Sequence, residues 1–587
     1  MEFSRFSRIY QGHLFRLGIF LTLALTACQL ISPDIVENDE TPVPNGATRT
    51  GFPLVTQDGQ ETVAPIESQQ PTSEPSLTPE PVTLWVAPYL PLELSGQLTL
   101  PQAVRLVKDP SEANIHLKAG NGYPVTQWVY ALVAPFPTVL DGVSSEDIQR
   151  SWQGNPSGPL GNLPILVDES TFHVFSVKWG EPDHEAVIII PSEELLDYAW
   201  EQRPAWGIVP FENLQPRWKV LEVDGVSPIH KEFQPEEYAL TVTFSLDGQA
   251  SLVEYLLTLT SQDNQTQLGL PVVNRDENKL TTLAMTGVTA LVRATAFTME
   301  IQGLLYPAQD VGPFLREADL THISNEIPFY PDCPPPDPGQ ASLRFCCDPR
   351  YIALLEEVGT DIVELTGDHF HDYGAEAMLY TLNLYEQQGW IYYGGGYNLD
   401  DGRQARTLEH NGNKLAFIGC NAKGGDYASA TETSPGSASC DFDWMRAEIA
   451  RLTQAGYNVI TTFQHHEYYS YLIQPYLMKD FRAMAEAGAV IVSGSQAHQP
   501  HGMEFYDGSF LHYGLGNLFF DQYQFCNYFM CDDTFIDRHV FYDGRYISSE
   551  LITLKFVDYA RPRLMTQSER ERILFTVFRA SIWDHEG

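Results

Sequence analysis

The chain is poor in cysteine and in basic residues, and it has no long apolar run after its amino-terminal segment. Its 587 residues include 8 cysteines, and 35 lysines and arginines stand against 76 aspartates and glutamates. A formal net charge of -41 leaves no basic surface to neutralise phosphates, which argues against nucleic-acid binding. No CxxC pair is present, so a thiolate metal site is disfavoured. Without a second apolar run of about 20 residues, no membrane-spanning helix is predicted beyond the amino terminus.

Apolar and aromatic residues are plentiful, at 43% and 12% of the chain, and this excludes wholesale disorder. A chain of 587 residues is too long for one hydrophobic core, so we expect two or three domains. We interpret the acidity as a solubility feature of an extracellular protein, with a functional role as the alternative.

The amino terminus has the features of an export signal. Three arginines precede the apolar segment 17–27, which is too short to span a bilayer as a mature helix. The segment runs into LTAC at 25–28, which resembles a bacterial lipobox. The resemblance implies that 1–28 is a lipoprotein signal peptide and that lipid is attached to Cys28, whereas an uncleaved anchor or an ordinary secretion signal are the alternatives. In each case we expect the rest to be extracytoplasmic, held at the bacterial membrane on the cell surface or in the periplasm.

Composition divides the remaining chain into four parts. Residues 29–81 are rich in Pro, Thr, Ser and Glu, so we predict a disordered tether that lifts the folded part off the membrane. Residues 82–270 and 279–560 alternate strand-like and helix-like segments, which predicts two α/β domains. Residues 561–587 are predicted to be a C-terminal tail.

The first α/β region carries loosely spaced motifs. Strand patterns lie at 83–87, 113–117 and 130–134. A Pro-marked turn at 135–138 follows the third and completes the motif VAPFPT, and a helix-start signal lies at 144–148. With a WxG motif and a later GIVPF at 207–211, this order resembles type II extracytoplasmic solute-binding proteins, including phosphate-binding ones. The resemblance implies a small periplasmic-binding-protein-like α/β domain, and a plain α/β module without a ligand is the alternative.

In the second region, short apolar runs lead into clusters of His, Asp, Asn or Glu. The runs are 321–323, 362–365, 459–463 and 489–492. Because the carboxyl ends of parallel strands meet at one edge of a sheet, we expect these polar side chains to lie close together.

The cluster with the most chemistry is DHFHDYG at 368–374, before a predicted helix at 375–388. A carboxylate beside an imidazole suits a metal ligand or a general acid, although both residue types also cap helices. With HHE at 465–467 and His498 after other strands, the pattern predicts a metal or acid–base site. Mixed nitrogen and oxygen ligands suit a divalent cation, and Mn, Zn and Fe stay open.

Six motifs of this region follow a recognisable order. They are TGV…R at 286–293, SNE at 324–326, GDHFHDYG at 367–374, QHHEY at 464–468, GSQAH at 494–498 and YGLGNLF at 513–519. Their order resembles the bacterial capsule-synthesis protein A (CapA) family, linked to poly-γ-glutamate and related to calcineurin-like metallophosphoesterases. The resemblance implies a layered, metallophosphatase-like α/β sandwich and a surface protein of capsule or anionic envelope polymer biosynthesis.

The resemblance also implies roles for single residues. The implied metal ligands are Glu326, Asp368, His465 and His498. The implied substrate contacts are Arg293, Asn325, His466, Glu467 and Asn517. His369 would act as the general acid for a leaving alkoxide, and Asp372 would orient it.

Two positions depart from the family pattern. Val288 stands where the family has its first metal-binding Asp, and Ser495 stands where it has the first His of GHxPH. Their loss weakens any two-metal centre, so we expect one ion instead of two. Two functions stay open: a metal-dependent, phosphoesterase-like hydrolase, and a non-catalytic polymer-binding or assembly lipoprotein. The implied partners are the anionic polymer or capsule machinery, and the membrane through Cys28.

The cysteines predict disulfides in an oxidising compartment. The candidate pairs are Cys333 with Cys346 or Cys347, Cys420 with Cys440, and Cys526 with Cys531. Sequence leaves the connectivity open.

Overall fold

The computed structural model of the chain describes residues 81–260, 267–425, 427–522 and 532–584. The predicted signal peptide, Cys28, the tether up to residue 80 and the Cys526–Cys531 pair lie outside the described residues. Within them, no helix is both long and apolar enough to cross a membrane.

Residues 82–260 form a mixed sheet with helices packed on it. Its strands and helices, in chain order, are β1 Val82–Val86, α1 Leu92–Gln97, β2 Val104–Val107, β3 Ile115–Ala119, β4 Tyr123–Pro135, β5 Gly142–Val143, α2 Ser145–Trp152, β6 Ile165–Val167, α3 Glu169–Trp179, β7 Val187–Ile189, α4 Leu195–Glu201, β8 Trp206–Pro210, β9 Trp218–Val223, β10 Thr241–Gly248 and α5 Ala250–Thr260. The strand order is β2-β1-β3-β10-β4-β8-β6-β7, with β9 beside β4 and β5 beside β9. The predicted α/β class of this region is confirmed.

Local sequence signals explain where these helices begin. The Ser144 side chain accepts a hydrogen bond from the N–H of Asp147 at 3.1 Å, so α2 starts at the predicted helix signal. The Asp168 side chain caps α3 in the same way, accepting from the N–H of Thr171 at 2.7 Å. The strand predicted at 113–117 lies two residues further on, because a short 3-10 turn capped by Asp109 precedes it.

The second region folds into two larger sheets with helices between their strands. Its elements are β11 Leu280–Thr289, α6 Arg293–Gln302, α7 Gly312–Glu317, β12 Leu320–Asn325, α8 Ile352–Glu357, β13 Ile362–Glu364, α9 Gly374–Gln388, β14 Ile391–Tyr393, β15 Gly395–Gly396, α10 Leu399–Arg403, β16 Arg406–His410, β17 Asn413–Asn421, β18 Gly436–Ser437, α11 Phe442–Gln454, β19 Asn458–Gln464, α12 Pro475–Glu486, β20 Ala489–Ser493, β21 Met503–Tyr506, β22 Ser509–His512, β23 Asn517–Phe519, β24 Asp533–Tyr542, β25 Arg545–Phe556, β26 Pro562–Leu564 and α13 Gln567–Ala580.

These sheets form a four-layered sandwich. One sheet has the order β14-β13-β12-β11-β24-β25-β26, and the other has the order β16-β17-β19-β20-β22-β21. Apolar side chains of both sheets, such as Met285, Phe417 and Phe510, share one buried cluster between them. Helices α6 to α9 cover the outer face of the first sheet, and α11 and α12 cover that of the second. The predicted layered sandwich is confirmed.

Strands β11 to β14 run parallel to one another, as do β17, β19, β20 and β22. The four apolar runs singled out in the sequence form β12, β13, β19 and β20. Their carboxyl ends therefore lie on one side of the sandwich.

The end of the chain joins the fold rather than forming the predicted tail. Strand β26 extends the first sheet, and α13 buries Ile573 and Val577 in the shared core. Beyond α13, the Trp583 ring packs against Phe136 and Trp200 of the first region. The two α/β regions thus share one core, and a domain boundary between 270 and 279 stays a prediction.

Candidate metal centre

Residues that follow three parallel strands meet in one cavity of about 660 Å³. Glu326 follows β12, Asp368 and His369 follow β13, and His498 follows β20, and all four side chains line the cavity. The structure therefore brings together most of the predicted acid, base and metal-binding groups.

The tightest part of the cavity is built by Glu326, Asp368 and His369. Each offers a ligand atom that lies within 4.8 Å of the other two. Gly367 makes this approach possible, because a Cβ at that position would lie 2.8 Å from the Cα of Glu326. Any other residue at 367 would push the two strand ends apart.

Glu326 is fully buried and incompletely satisfied. Its Oε1 accepts from Nε2 of Gln464 at 3.4 Å, whereas its Oε2 has no hydrogen-bond partner among the described residues. Burial raises the pKa of Glu326 above its ordinary value. A buried carboxylate oxygen without a donor is costly, so this position suits a bound cation.

His498 is oriented as metal-ligating histidines are. Its Nδ1–H donates to Oδ1 of Asn517 at 2.9 Å, and Nδ2 of Asn517 donates back to the carbonyl of His498 at 3.2 Å. Nε2 then faces Glu467 and Glu326, at 3.7 and 4.0 Å from their carboxylates. Asn517, predicted as a substrate contact, instead fixes the ring and tautomer of His498.

His369 is held as a proton donor. Its Nδ1 lies 2.7 Å from Oδ2 of Asp372. Burial lowers the pKa of His369, but the bond to Asp372 and the charges of Glu326 and Asp368 outweigh this effect and raise it to about 9. The imidazolium form is therefore favoured at neutral pH, as the predicted general acid requires.

A loop held by a disulfide closes over this histidine. Cys333 and Cys346 are bonded, and the neighbouring Cys347 is a buried free thiol. The N–H of Phe345 donates to Oδ2 of Asp372 at 2.8 Å, and the Phe345 ring lies 4.7 Å from the His369 ring. The loop thus shields the His369–Asp372 pair from solvent.

Sequence reasoning missed Lys423, which brings an ammonium group into the cavity. Its Nζ lies 2.8 Å from Oδ2 of Asp368 and 2.7 Å from Oε1 of Glu467. Lys423 follows β17, which is also an apolar strand that runs into polar residues. The sequence around β17 therefore has the same pattern as the other strands, but a lysine at a strand end does not by itself indicate a metal site.

The structure does not bring His465 to the cluster. Gln464, the last residue of β19, faces the cavity and donates from Nε2 to Oδ1 of Asp368 at 2.6 Å. Successive side chains alternate between the faces of a strand, so His465 points the other way, with its Nε2 3.5 Å from Oδ2 of Asp480. The expectation that His465 binds the same ion is thus corrected, and His466 is exposed to solvent.

Two further predicted substrate contacts are also buried away from the cavity. Arg293 donates to Oδ1 of Asp521 at 2.7 Å, and its guanidinium lies against the Phe520 and Phe345 rings. Asn325 donates to the hydroxyl of Tyr385 at 2.7 Å and to a backbone carbonyl. Of the five predicted contacts, Glu467 is the one that lines the cavity.

Val288 and Ser495, the two positions that depart from the family pattern, cannot bind a metal ion where they lie. Val288 is fully buried in the apolar cluster under α6 to α9. Ser495 is fully buried and donates its hydroxyl proton to Glu364, which also accepts from Thr366 at 2.6 Å. Neither position can supply a ligand. Among the described residues, Glu326, Asp368 and His369 are spaced as metal ligands can be, and Nε2 of His498 lies 4.0 Å from Glu326.

Comparisons with solved structures give weak likenesses. A phosphate transport receptor from Vibrio cholerae is 12% identical, covering 31% of this chain and 94% of that one, with a TM-score of 0.26. A 5'-nucleotidase precursor from Thermus thermophilus is 13% identical, covering 50% of this chain and 58% of that one, with a TM-score of 0.30. At these TM-scores neither likeness carries information about function.

Comparisons of sequence are more specific. "Capsule biosynthesis protein CapA" of Bacillus anthracis is 25% identical over 277 residues, covering 46% of this chain and 67% of the relative. "PGA biosynthesis protein CapA" of Bacillus subtilis (strain 168) is 24% identical over 217 residues, covering 36% of this chain and 56% of the relative. Residues 277–522 match the model of the bacterial capsule synthesis protein PGA_cap. This matched region, which contains the whole candidate metal centre, is similar to the bacterial capsule synthesis protein family.

Proposed function

We propose that the chain is a metal-dependent, phosphoesterase-like hydrolase of capsule or anionic envelope polymer biosynthesis, with a polymer of the poly-γ-glutamate type as its substrate or product. The similarity of residues 277–522 to capsule synthesis proteins supports the polymer class. The observation that carries the reaction class is the buried, unpartnered Oε2 of Glu326, which lies beside Asp368 and the His369–Asp372 pair.

The residues of the cavity divide the chemistry between them. Glu326 and His498 would hold one divalent ion beside Asp368, which pairs with Lys423. The ion would polarise the scissile group and lower the pKa of a bound water. His369 donates its Nε2 proton to the departing oxygen, because Nδ1 is committed to Asp372. Lys423, 23% exposed, offers positive charge to an anionic oxygen of the substrate.

The test is hydrolysis of a chromogenic phosphodiester by protein purified without chelator, with Mn, Zn or Fe added back after chelation. We expect metal-dependent turnover that falls by about 10²–10⁴-fold in His369→Ala. The matched control is His184→Ala, an exposed histidine of the first region, which should keep full turnover. Metal-independent turnover, or full turnover in His369→Ala, contradicts the proposal.

The second candidate function is a polymer-binding or assembly protein without turnover. Val288 and Ser495 favour it, because they leave a metal centre with fewer ligands than the family pattern has. Retention of poly-γ-glutamate by the folded protein, with no hydrolysis under any metal, is the outcome that selects this function.

The exported, lipid-anchored location is part of the proposal. In a bacterial host, the protein should fractionate with membranes, and Cys28→Ala should move it to the soluble extracytoplasmic fraction. An unchanged membrane association of Cys28→Ala contradicts lipid attachment.

For the first α/β region, we propose binding of a small anion such as phosphate. Titration calorimetry with phosphate and other small anions tests this, and no heat across that panel removes the solute-binding interpretation.

A further inference from the structure

The cavity contains a positive charge that belongs to the protein itself. The Lys423 ammonium bridges Asp368 and Glu467, whose carboxylates come from different strand ends. The ammonium lies 2.8 Å from Oδ2 of Asp368 and 2.7 Å from Oε1 of Glu467, which are the distances of charge-assisted hydrogen bonds.

Backbone contacts hold this lysine in position. The N–H groups of Ala422 and Lys423 both donate to the carbonyl of Gln464, at 2.8 and 3.0 Å. The side chain of Asn421 accepts from the N–H of Gly424 at 2.9 Å. Just before this turn, Cys420 is bonded to Cys440. The ammonium is thus carried on a segment fixed to the end of β19.

The two sides of the cavity differ in whether their carboxylate oxygens have donors: those beside Lys423 do, whereas Oε2 of Glu326 has none among the described residues. Both oxygens of Asp368 have donors, Gln464 and Lys423, and Oε1 of Glu467 also binds Lys423. On the Glu326 side, Oε2 of Glu326 has no partner among the described residues. Nε2 of His498 lies between the two sides, 4.0 Å from Glu326 and 3.7 Å from Glu467. The Lys423 side therefore already contains a cation, the ammonium itself, whereas the Glu326 side has room for a metal ion.

We propose that the Lys423 ammonium stands in for a second metal ion, so that the cavity accepts one divalent ion, on the Glu326 side. Like charges repel, so a fixed ammonium between Asp368 and Glu467 excludes a second ion from these carboxylates. The inference deepens the proposed function but concerns ion number, and it does not depend on turnover.

The test is the number of Mn²⁺ ions bound by the full exported chain, measured by equilibrium dialysis and elemental analysis. Lys423→Met removes the charge and keeps most of the side-chain volume, whereas Lys423→Arg keeps the charge. We expect one ion in the wild type and in Lys423→Arg. In Lys423→Met we expect a second ion, or one ion bound about tenfold more tightly, because the repulsion is gone.

Two results overturn the inference: two ions in the wild type, or a Lys423→Met variant with the wild-type ion number and affinity. No ion in the wild type also overturns the inference, together with metal-dependent hydrolysis, whereas two ions in the wild type overturn the inference and leave the proposed hydrolysis standing. Failure of the inference and failure of the proposed function are therefore distinguishable.

A second variant, Glu467→Gln, tests the inference if Lys423→Met does not fold. Glu467→Gln removes a partner of Lys423 that, in this account, does not bind the ion. Its Mn²⁺ affinity should stay within about threefold of the wild type, since the ion is held on the Glu326 side. A loss of affinity of about tenfold or more would show that Glu467 is an ion ligand and overturn the inference.

Discussion

Two carboxylates of this molecule, Glu550 and Glu326, differ in whether neighbouring side chains neutralise their charge. Where the two α/β regions meet, Glu550 is bonded to Arg538 at 2.6 Å and lies 2.9 Å from His230. Burial alone would raise the pKa of Glu550, but these partners lower it to about 2. In the candidate metal centre, Glu326 has no cation within hydrogen-bonding distance among the described residues, and burial raises its pKa.

The difference separates a carboxylate that fixed side chains neutralise from one whose Oε2 has no partner among the described residues. The Glu550 carboxylate has its counter-charge supplied by fixed side chains, so nothing is left to bind. Oε2 of Glu326 has no such partner among the described residues, which costs stability, and in the proposed function a bound cation would offset this cost. Four sets of substitutions test how these buried groups, and the segment that carries Lys423, contribute to stability.

The largest effect is expected from Arg538→Met in the contact zone. Arg538 is buried and bonds Glu550, Glu317 at 3.2 Å and His230 at 2.7 Å. Removing one partner of a buried ion pair leaves an uncompensated charge, so we expect a loss of about 4 kcal/mol in the free energy of unfolding.

Urea unfolding measures this loss. The control is Arg350→Met, because Arg350 is 59% exposed and its pairs with Glu300 and Asp348 lie at the surface. We expect less than about 1 kcal/mol there. Equal losses in both variants contradict the contrast between buried and surface pairs.

The second effect concerns the segment that carries Lys423. Cys420 and Cys440 are 20 residues apart, and their bond limits the freedom of the unfolded chain. Replacing both by alanine should lower the free energy of unfolding by about 3 kcal/mol. Thermal unfolding checks it, and an unchanged midpoint would mean that the bond contributes nothing to stability.

The third effect is a pH dependence from Glu212 in the first region, a buried carboxylate that accepts hydrogen bonds from neutral donors. It accepts from Trp128 Nε1 at 2.8 Å and from Asn274 Nδ2 at 2.7 Å, and burial raises its pKa to about 7. The pKa of Glu212 in the folded protein exceeds its ordinary value of 4.5, so this contribution to stability is lost as pH rises from about 4.5 to 7.

Comparison with Glu212→Gln isolates this contribution. The wild type should lose about 2 kcal/mol relative to the variant between about pH 5 and pH 8, because the glutamine does not titrate. Urea unfolding at the two pH values measures it. A constant difference between the two proteins would contradict the raised pKa of Glu212.

The smallest effect is expected from Glu326→Gln, which removes the unpaired charge and keeps the shape. In chelator, the variant should be more stable than the wild type by about 1 kcal/mol, while divalent ions no longer stabilise it. Unfolding with and without Mn²⁺ measures both. A Glu326→Gln variant that is less stable than the wild type in chelator would contradict the claim that the charge of Glu326 is uncompensated.

The sequence predicted the strands of the site better than the side chains that face it. Four apolar runs ending in polar clusters correctly indicated β12, β13, β19 and β20, because hydrophobic pattern and strand ends are local properties. The choice between Gln464 and His465 depends on which face of β19 is turned to the cavity at its last residue. Lys423 and Asn517 gain their roles only from contacts between distant segments, which one-dimensional patterns do not contain.

The most direct test of the account is anomalous diffraction from a crystal soaked in Mn²⁺. We predict a single anomalous peak in the cavity, bonded to Glu326 and to Nε2 of His498 and away from the Lys423 ammonium. An empty cavity, or a peak bonded to His465 and Asp480 instead, would contradict the central claim that Glu326 awaits a cation.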